Sequence, residues 1–207
     1  MLAFDTTLTF FGASVLLALA PGPDNVFVLL HAAAHGRRAG MLVVLGLCSG
    51  LLFHTAAVAL GLAAVFAASS TAFTLLKLGG ALYLLWLAWG AWNAPAGLGT
   101  SPNTPALGDA ATYRRGVLMN VSNPKVAIFF LAFLPQFANP AEGHLATQIM
   151  LLGGVFMLAA LLTFGTIALL AGSVGQVFLR SPRAQQVLNR TAALVFVGLA
   201  LRLAVGN

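Results

Sequence analysis

Leu19-Ala20-Pro21-Gly22-Pro23-Asp24-Asn25 sets two prolines, a glycine and a carboxylate inside an otherwise apolar run. Proline in a helix interior removes a backbone donor and clashes with the preceding turn, so Pro21 and Pro23 should open the hydrogen-bond ladder here. Asp24 follows the break. Charge at depth in a bilayer is costly, and the freed backbone groups need partners that lipid does not supply, so a broken helix with an ionisable residue is expected to be a functional site. The competing reading is the end of a signal peptide, with Ala18-Leu19-Ala20 as an A-x-A-like cleavage site. A signal peptide wants a basic n-region, and the first Lys or Arg in the chain is Arg37. The broken transmembrane helix is therefore the better reading.

Composition agrees. Of 207 residues, 60% are hydrophobic and 7% charged, with a mean hydropathy of +0.96, whereas soluble domains carry about 25% charged residues. The pattern is that of an all-α polytopic membrane protein. Ten Lys and Arg against four Asp and Glu give a net charge of +6. These charges lie between apolar runs, so they point to membrane orientation and not to nucleic-acid binding. Cys48 is the single cysteine, which excludes an internal disulfide, a CxxC pair and a cysteine-rich metal site.

A membrane-spanning helix needs about 20 apolar residues, and six segments qualify: 4–34, 40–68, 72–92, 115–137, 145–172 and 187–205. Residues 39–76 carry no Asp, Glu, Lys or Arg and are too long for one crossing, so a turn is expected at Ser69-Ser70-Thr71. Arg37 and Arg38 follow the first segment, Arg114 and Arg115 close the third connection, and Arg180, Arg183 and Arg190 surround the fifth. Basic residues accumulate in short cytoplasmic loops. The first, third and fifth connections should thus be cytoplasmic and both termini periplasmic. Lys77 and Arg202 oppose the pattern near outer helix ends, where long basic side chains can snorkel.

Residues 93–112 hold Pro95, Pro102, Pro105, Gly97, Gly99 and Gly108, a linker composition. This cytoplasmic linker would divide one transporter domain into three-helix repeats, 1–92 and 113–207. Three is odd, so the repeats would lie upside down relative to each other, the 3+3 inverted repeat of many secondary transporters, whose sites form at interrupted helices in corresponding positions. The fourth helix should then be broken too. It reads Met119-Asn120-Val121-Ser122-Asn123-Pro124-Lys125, so that Pro23-Asp24 and Pro124-Lys125 are proline-charge pairs of opposite sign, 101 residues apart.

Asp24 and Lys125 are the leading site candidates, with Pro21, Gly22, Pro23, Asn120, Asn123 and Pro124 around them as substrate-binding positions. Each charge would begin the second half of a broken helix, where free N–H groups favour anions. Asp24 suits that place, but Lys125 needs negative charge from Asp24 or from a bound carboxylate. Freed N–H groups and Lys125 could hold a carboxylate and Asp24 an ammonium, together a site for an amino acid zwitterion. An ion pair tying the halves together is the structural alternative. Asp24 and His54, ionisable groups at depth, are the proton-coupling candidates, although a satisfied interior histidine explains His54 equally well. Gln148 is a further hydrogen-bonding candidate. Gly46 and Gly50 form a small-xxx-small pair that permits close helix approach.

His31 and His35 have a chelating spacing, but Arg37 and Arg38 follow and no carboxylate does, so no metal is expected. Tyr83, Trp86, Trp89 and Trp92 recur every third residue as a packing and interface stripe. No catalytic triad, P-loop or dinucleotide motif occurs, so neither an enzyme nor a cofactor is expected.

At these residues the sequence resembles the LysE/RhtB family of amino-acid exporters. The resemblance rests on Pro21-Gly22-Pro23-Asp24, Gly36-Arg37-Arg38-Ala39-Gly40 with Gly46, Gly50 and His54, Leu82-Tyr83-Leu84-Leu85, Arg115-Gly116 through Asn120, Asn123-Pro124-Lys125, and Phe133-Leu134-Pro135-Gln136-Phe137. Ala88 and Ser122 depart from the family pattern. The resemblance implies a multi-pass bacterial inner-membrane exporter of an amino acid or derivative, driven by proton antiport. A dibasic substrate would prefer a second buried carboxylate, so a neutral or hydroxylated amino acid is favoured. Its partners would be that substrate, protons and lipid, with no nucleic acid; a homo-oligomer is compatible with the sequence. A non-transporting membrane scaffold or accessory subunit is the alternative of a different class.

Overall fold

The computed structural model describes residues 2–20, 22–68, 70–94, 107–171 and 181–205, without the side chains of residues 62–68, 70, 72 and 73. Pro21, Ser69, Arg180 and the linker's Pro95, Gly97, Gly99, Pro102 and Pro105 lie outside these residues. The described chain is helical and contains no strand. In order, α1 is Phe4–Leu19, α2 Pro23–Ala68, α3 Ser70–Trp92, α4 Asp109–Val121 and α5 Pro124–Ile128. A π-helical turn, Phe129–Phe133, and a 3-10 turn, Leu134–Phe137, extend α5, and α6 is Leu145–Leu170 and α7 Pro182–Val205.

Among the described residues, four stretches are long and apolar enough to cross a bilayer alone: Pro23–Gly61, Thr74–Trp92, Leu145–Leu170 and Pro182–Val205. Asp109–Val121 with Pro124–Phe137, bent by 48°, makes a fifth. Pro23–Gly61 is not straight. Gly36 has φ 87° and ψ 170°, a conformation that costs glycine little and other residues much. A Cβ on Gly40 would stand 2.5 Å from the Ala32 Cβ, although residues eight apart in a straight helix are separated by about 12 Å. The chain therefore folds back at Gly36, and α2 is two arms, residues 23–35 and 37–68. The first arm continues α1 beyond its break.

α1 packs on α6 and α7, α2 on α4 and α6, and α3 on α7 and on the turn after α5. The α2–α4 contact is closest at Gly46, where a Cβ would overlap the Tyr113 carbonyl oxygen and stand 3.0 Å from the Gly116 Cα. The expected close approach at Gly46 is present, with Gly116 as its partner. Arg38 and Asp109 meet at 2.6 Å, which puts the reversal after residue 36 and the start of α4 on one face of the bundle.

Two helices begin earlier than their apolar runs. α4 starts at Asp109 and not near Arg115, so residues 109–112 leave the expected linker; Asp109 sits in the first turn, where the helix dipole favours an acid. α7 starts at Pro182 and not at Val187: proline suits the first helical position, and the Ser181 Oγ accepts from the Ala184 N–H at 3.3 Å.

An aromatic cluster fills the core on the far side of the breaks from this face. The Phe10 ring lies 5.0 Å from Phe137 and 5.9 Å from Phe129, and Phe156 lies 5.2 Å from Phe129 and 5.0 Å from Phe130. The Arg202 guanidinium stands over the Phe137 ring at 4.4 Å, so an aromatic face accommodates its charge.

Candidate functional site

α1 ends at Leu19 and α2 begins at Pro23. Neither Pro21 nor Pro23 has an N–H, so the last carbonyls of α1 lose their usual helical donors. Side chains from beyond the break supply them. The Lys125 Nζ donates to the carbonyls of Leu17 at 3.3 Å and Ala20 at 3.0 Å, and the Asn25 Nδ2 donates to that of Ala18 at 2.6 Å. Gly22 makes room for this: a Cβ there would stand 3.0 Å from the Lys125 Nζ.

The second break is built by Asn123. Its backbone is extended, its Oδ1 accepts from the Lys125 N–H at 3.0 Å as the cap of α5, and Pro124 takes the first helical position, an arrangement proline and asparagine both favour. The Asn123 Nδ2 also donates to the Asp24 Oδ2 at 2.8 Å. Asn123 thus caps one half-helix and holds the carboxylate of the other.

Asp24 and Lys125, buried at 1% and 5% exposure, do not form an ion pair. The atoms that Lys125 touches are carbonyl oxygens at the end of α1; Asp24 acts on it only through space and lies in the first turn of α2, at a positive helix end. Three acceptors beside the breaks, Asp24 Oδ1, Asn25 Oδ1 and Asn120 Oδ1, are buried without a hydrogen-bond partner. Such atoms are costly and mark places where a proton or a ligand donor is missing.

A cavity of ≈ 770 Å³ opens between the breaks. Gly22, Pro23, Asn25, Asn123, Pro124 and Lys125 form its polar end. Tyr83, Trp86 and Leu87 of α3, Thr166 and Leu170 of α6, and Gln185, Asn189 and Phe196 of α7 contribute walls. Lys125 is the one charged residue among the described lining. Asp24, Asn120 and His54 do not line it.

Asn120 packs beneath Gly50, whose Cβ would stand 2.7 Å from the Asn120 Cβ, and the His54 Nε2 lies 3.1 Å from the Asn120 carbonyl oxygen. These two join α2 to α4 beside the second break. Gln148 binds the Asn139 backbone, its Oε1 accepting from the N–H at 2.9 Å and its Nε2 donating to the carbonyl at 2.8 Å, so it braces the fourth connection. His31 stacks on Phe27 at 5.2 Å and tilts against His35 at 4.5 Å. Trp86 and Tyr83, expected as an interface stripe, also face the cavity.

Asn25 is the functional candidate that sequence reasoning passed over. Its position, one residue past the break and next to Asp24, was the available signal. Thr166, Gln185 and Asn189 gave none, because isolated polar residues near helix ends are common.

The sequence model of the LysE type translocator family matches residues 15–207. A membrane protein of Vibrio cholerae serotype O1, named only as uncharacterized, is 34% identical over 97% of this chain and 97% of its own. The homoserine/homoserine lactone efflux protein of Salmonella typhimurium is 28% identical over 95% of this chain and 94% of its own. The leucine efflux protein of an Enterobacter species is also 28% identical, over 95% and 93%. No solved structure matches the chain.

Proposed function

Because the chain belongs to the LysE type translocator family, we propose that it exports an amino acid by alternating access, with the substrate bound between the breaks at residues 21–24 and 123–125. The observation that carries this reading is the cavity with Lys125 at its polar end and both broken helices in its wall. The two relatives with assigned names are homoserine/homoserine lactone and leucine efflux proteins, which supports an amino-acid substrate and a transporter over an enzyme.

The architecture in this reading is six crossings in a 3+3 inverted repeat. The reversal at Gly36 supports it by separating the first crossing, residues 4–35, from the second. The packing supports it as well. Exchange of the first three crossings with the last three maps the α1–α6 contact onto that between α4 and the second arm of α2. It leaves the α3–α7 contact unchanged.

Leu29, Leu170 and Gln185 line the cavity, each on its helix toward a connection bearing arginines, and Ala94 lines it just past the end of α3, at the start of another. The positive-inside rule makes that face cytoplasmic, with both termini periplasmic and the membrane the bacterial inner one. The cavity then faces the compartment from which an exporter loads, and the Phe10–Phe137 cluster seals the opposite side. Outward release would require that seal to open and the cytoplasmic walls to close.

Proton antiport follows from Asp24. While ionised, it accepts a charge-assisted bond from Asn123; a proton on the carboxylate weakens that bond and loosens the link between the halves. Inward proton flow through Asp24, with His54 beside the second break, would favour different states in turn. In inverted vesicles an acid interior should drive accumulation of a labelled substrate amino acid. Accumulation of none of the twenty amino acids would overturn the export reading.

A further inference from the structure

Lys125 and Asn25 approach one point. The place where a Cβ on Gly22 would stand lies 3.0 Å from the Lys125 Nζ and 3.8 Å from the Asn25 Oδ1. An ammonium has three donors, and Lys125 spends two of them on the carbonyls of Leu17 and Ala20. The third has no partner among the described residues. Asn25 is the complement: its Nδ2 is occupied by the Ala18 carbonyl, whereas its Oδ1 is buried and unpartnered. Beside Gly22 the cavity therefore offers a cationic donor and a neutral acceptor within reach of one small molecule.

Resting on the export reading, we propose that this pair binds the head group of an α-amino acid, Lys125 taking the carboxylate and Asn25 the ammonium, and that the substrate side chain is apolar. The carboxylate of Asp24 is the obvious alternative partner for an ammonium. It does not line the cavity, is 1% exposed, and has one oxygen occupied by Asn123. Asn25 lines the cavity from the same break.

The side-chain preference follows from the remaining walls. Trp86, Leu87, Leu170, Leu188 and Phe196 supply apolar surface beyond the head group. No carboxylate lines the cavity among the described residues, so a lysine or ornithine side chain would lose water without gaining a counter-charge. A leucine-sized side chain instead exchanges water for hydrocarbon, and each methylene it buries raises affinity. A short hydroxylated side chain buries fewer methylenes than leucine and gains correspondingly less from these walls.

The test separates the two ends of the substrate on unaltered protein. Binding to purified, detergent-solubilised protein is measured for leucine, for 4-methylpentanoate, which lacks the amine, and for isoamylamine, which lacks the carboxylate. Each truncated probe should bind at least about tenfold more weakly than leucine, the loss expected for a hydrogen bond to a charged group. Lysine and threonine should also bind at least about tenfold more weakly. Asn25→Ala should weaken leucine by about tenfold while leaving 4-methylpentanoate unchanged, because only leucine has the amine that Asn25 holds.

Equal losses for leucine and 4-methylpentanoate in Asn25→Ala would make Asn25 a structural brace and overturn its assignment. Leucine binding no tighter than lysine or threonine would overturn the apolar side chain. Binding with the expected pattern but without gradient-driven accumulation in vesicles would support the site while overturning export.

Discussion

The Asn123 amide donates to the Asp24 carboxylate across 2.8 Å, joining residues 99 positions apart in sequence. The opposite end of the same side chain caps α5 through the Lys125 N–H. One short side chain therefore orders both breaks, and its two ends predict separable effects.

Asn123→Ala removes both bonds. Loss of a helix cap costs about 1 kcal/mol, and leaving a buried carboxylate without its donor about 1–3 kcal/mol more. Thermal unfolding in detergent should show a destabilisation of about 2–4 kcal/mol. Asn123→Asp keeps an acceptor for the cap but places a carboxylate against Asp24, so it should restore less stability than the cap alone would suggest. A variant equal in stability to the parent would remove the bridge from the account.

Lys125→Met leaves the Leu17 and Ala20 carbonyls without their donor and takes the one charge from the cavity lining. Binding of leucine should fall by at least about a hundredfold, the loss of a charged hydrogen-bond partner. Folding, followed by size-exclusion profile and circular dichroism, separates this from an architectural role. A folded variant with unchanged binding would place the carboxylate elsewhere.

Gly22→Ala is the gentler version. The new Cβ would meet the Lys125 Nζ at 3.0 Å and no backbone atom within 4 Å among its three nearest neighbours, so the flexible lysine moves and the helices stay. Binding should weaken by about tenfold, as for loss of one charged hydrogen bond, with little change in Tm.

Both breaks were legible in the sequence because proline has one backbone meaning in a helix, and the Pro23-Asp24 and Pro124-Lys125 pairs expose that meaning in apolar surroundings. The partners of the charges were not. Lys125 is satisfied by carbonyls of α1, and backbone acceptors leave no trace in residue type. The same holds for Gly46: its small-residue spacing was readable, but its partner, Gly116, sits alone between Arg115 and Val117. Asp109 and Pro182 extend helices into polar stretches, where hydropathy gives no signal and capping chemistry decides. The cavity depends on how six helices converge, which no local pattern encodes.

Gly46→Ala tests the α2–α4 contact, where a Cβ would overlap the Tyr113 carbonyl oxygen. Overpacking against backbone should destabilise by about 1–3 kcal/mol. Gly154→Ala is the control, since no atom lies within 4 Å of a Cβ there; replacing a mid-helix glycine should leave stability unchanged or raise it by up to about 1 kcal/mol. Equal Tm shifts for the two variants would show that close approach at Gly46 is dispensable.

Asp24→Asn tests coupling separately from binding. Asparagine retains an oxygen that can accept from the Asn123 Nδ2, so the bridge across the breaks survives in neutral form, which corresponds permanently to the protonated carboxylate. Asp24 does not line the cavity, so leucine binding should change by less than about threefold, within the range of an indirect effect below about 0.7 kcal/mol. Counterflow exchange of labelled for unlabelled leucine should persist, because it needs no net proton movement. Accumulation driven by an acid interior in inverted vesicles should vanish, because a neutral amide cannot carry a proton through the cycle. Retained accumulation with the parent's pH dependence would move the coupling role to another group. Of the ionisable residues near the breaks, His54, whose ring meets the Asn120 carbonyl at 3.1 Å, would then be the next to replace.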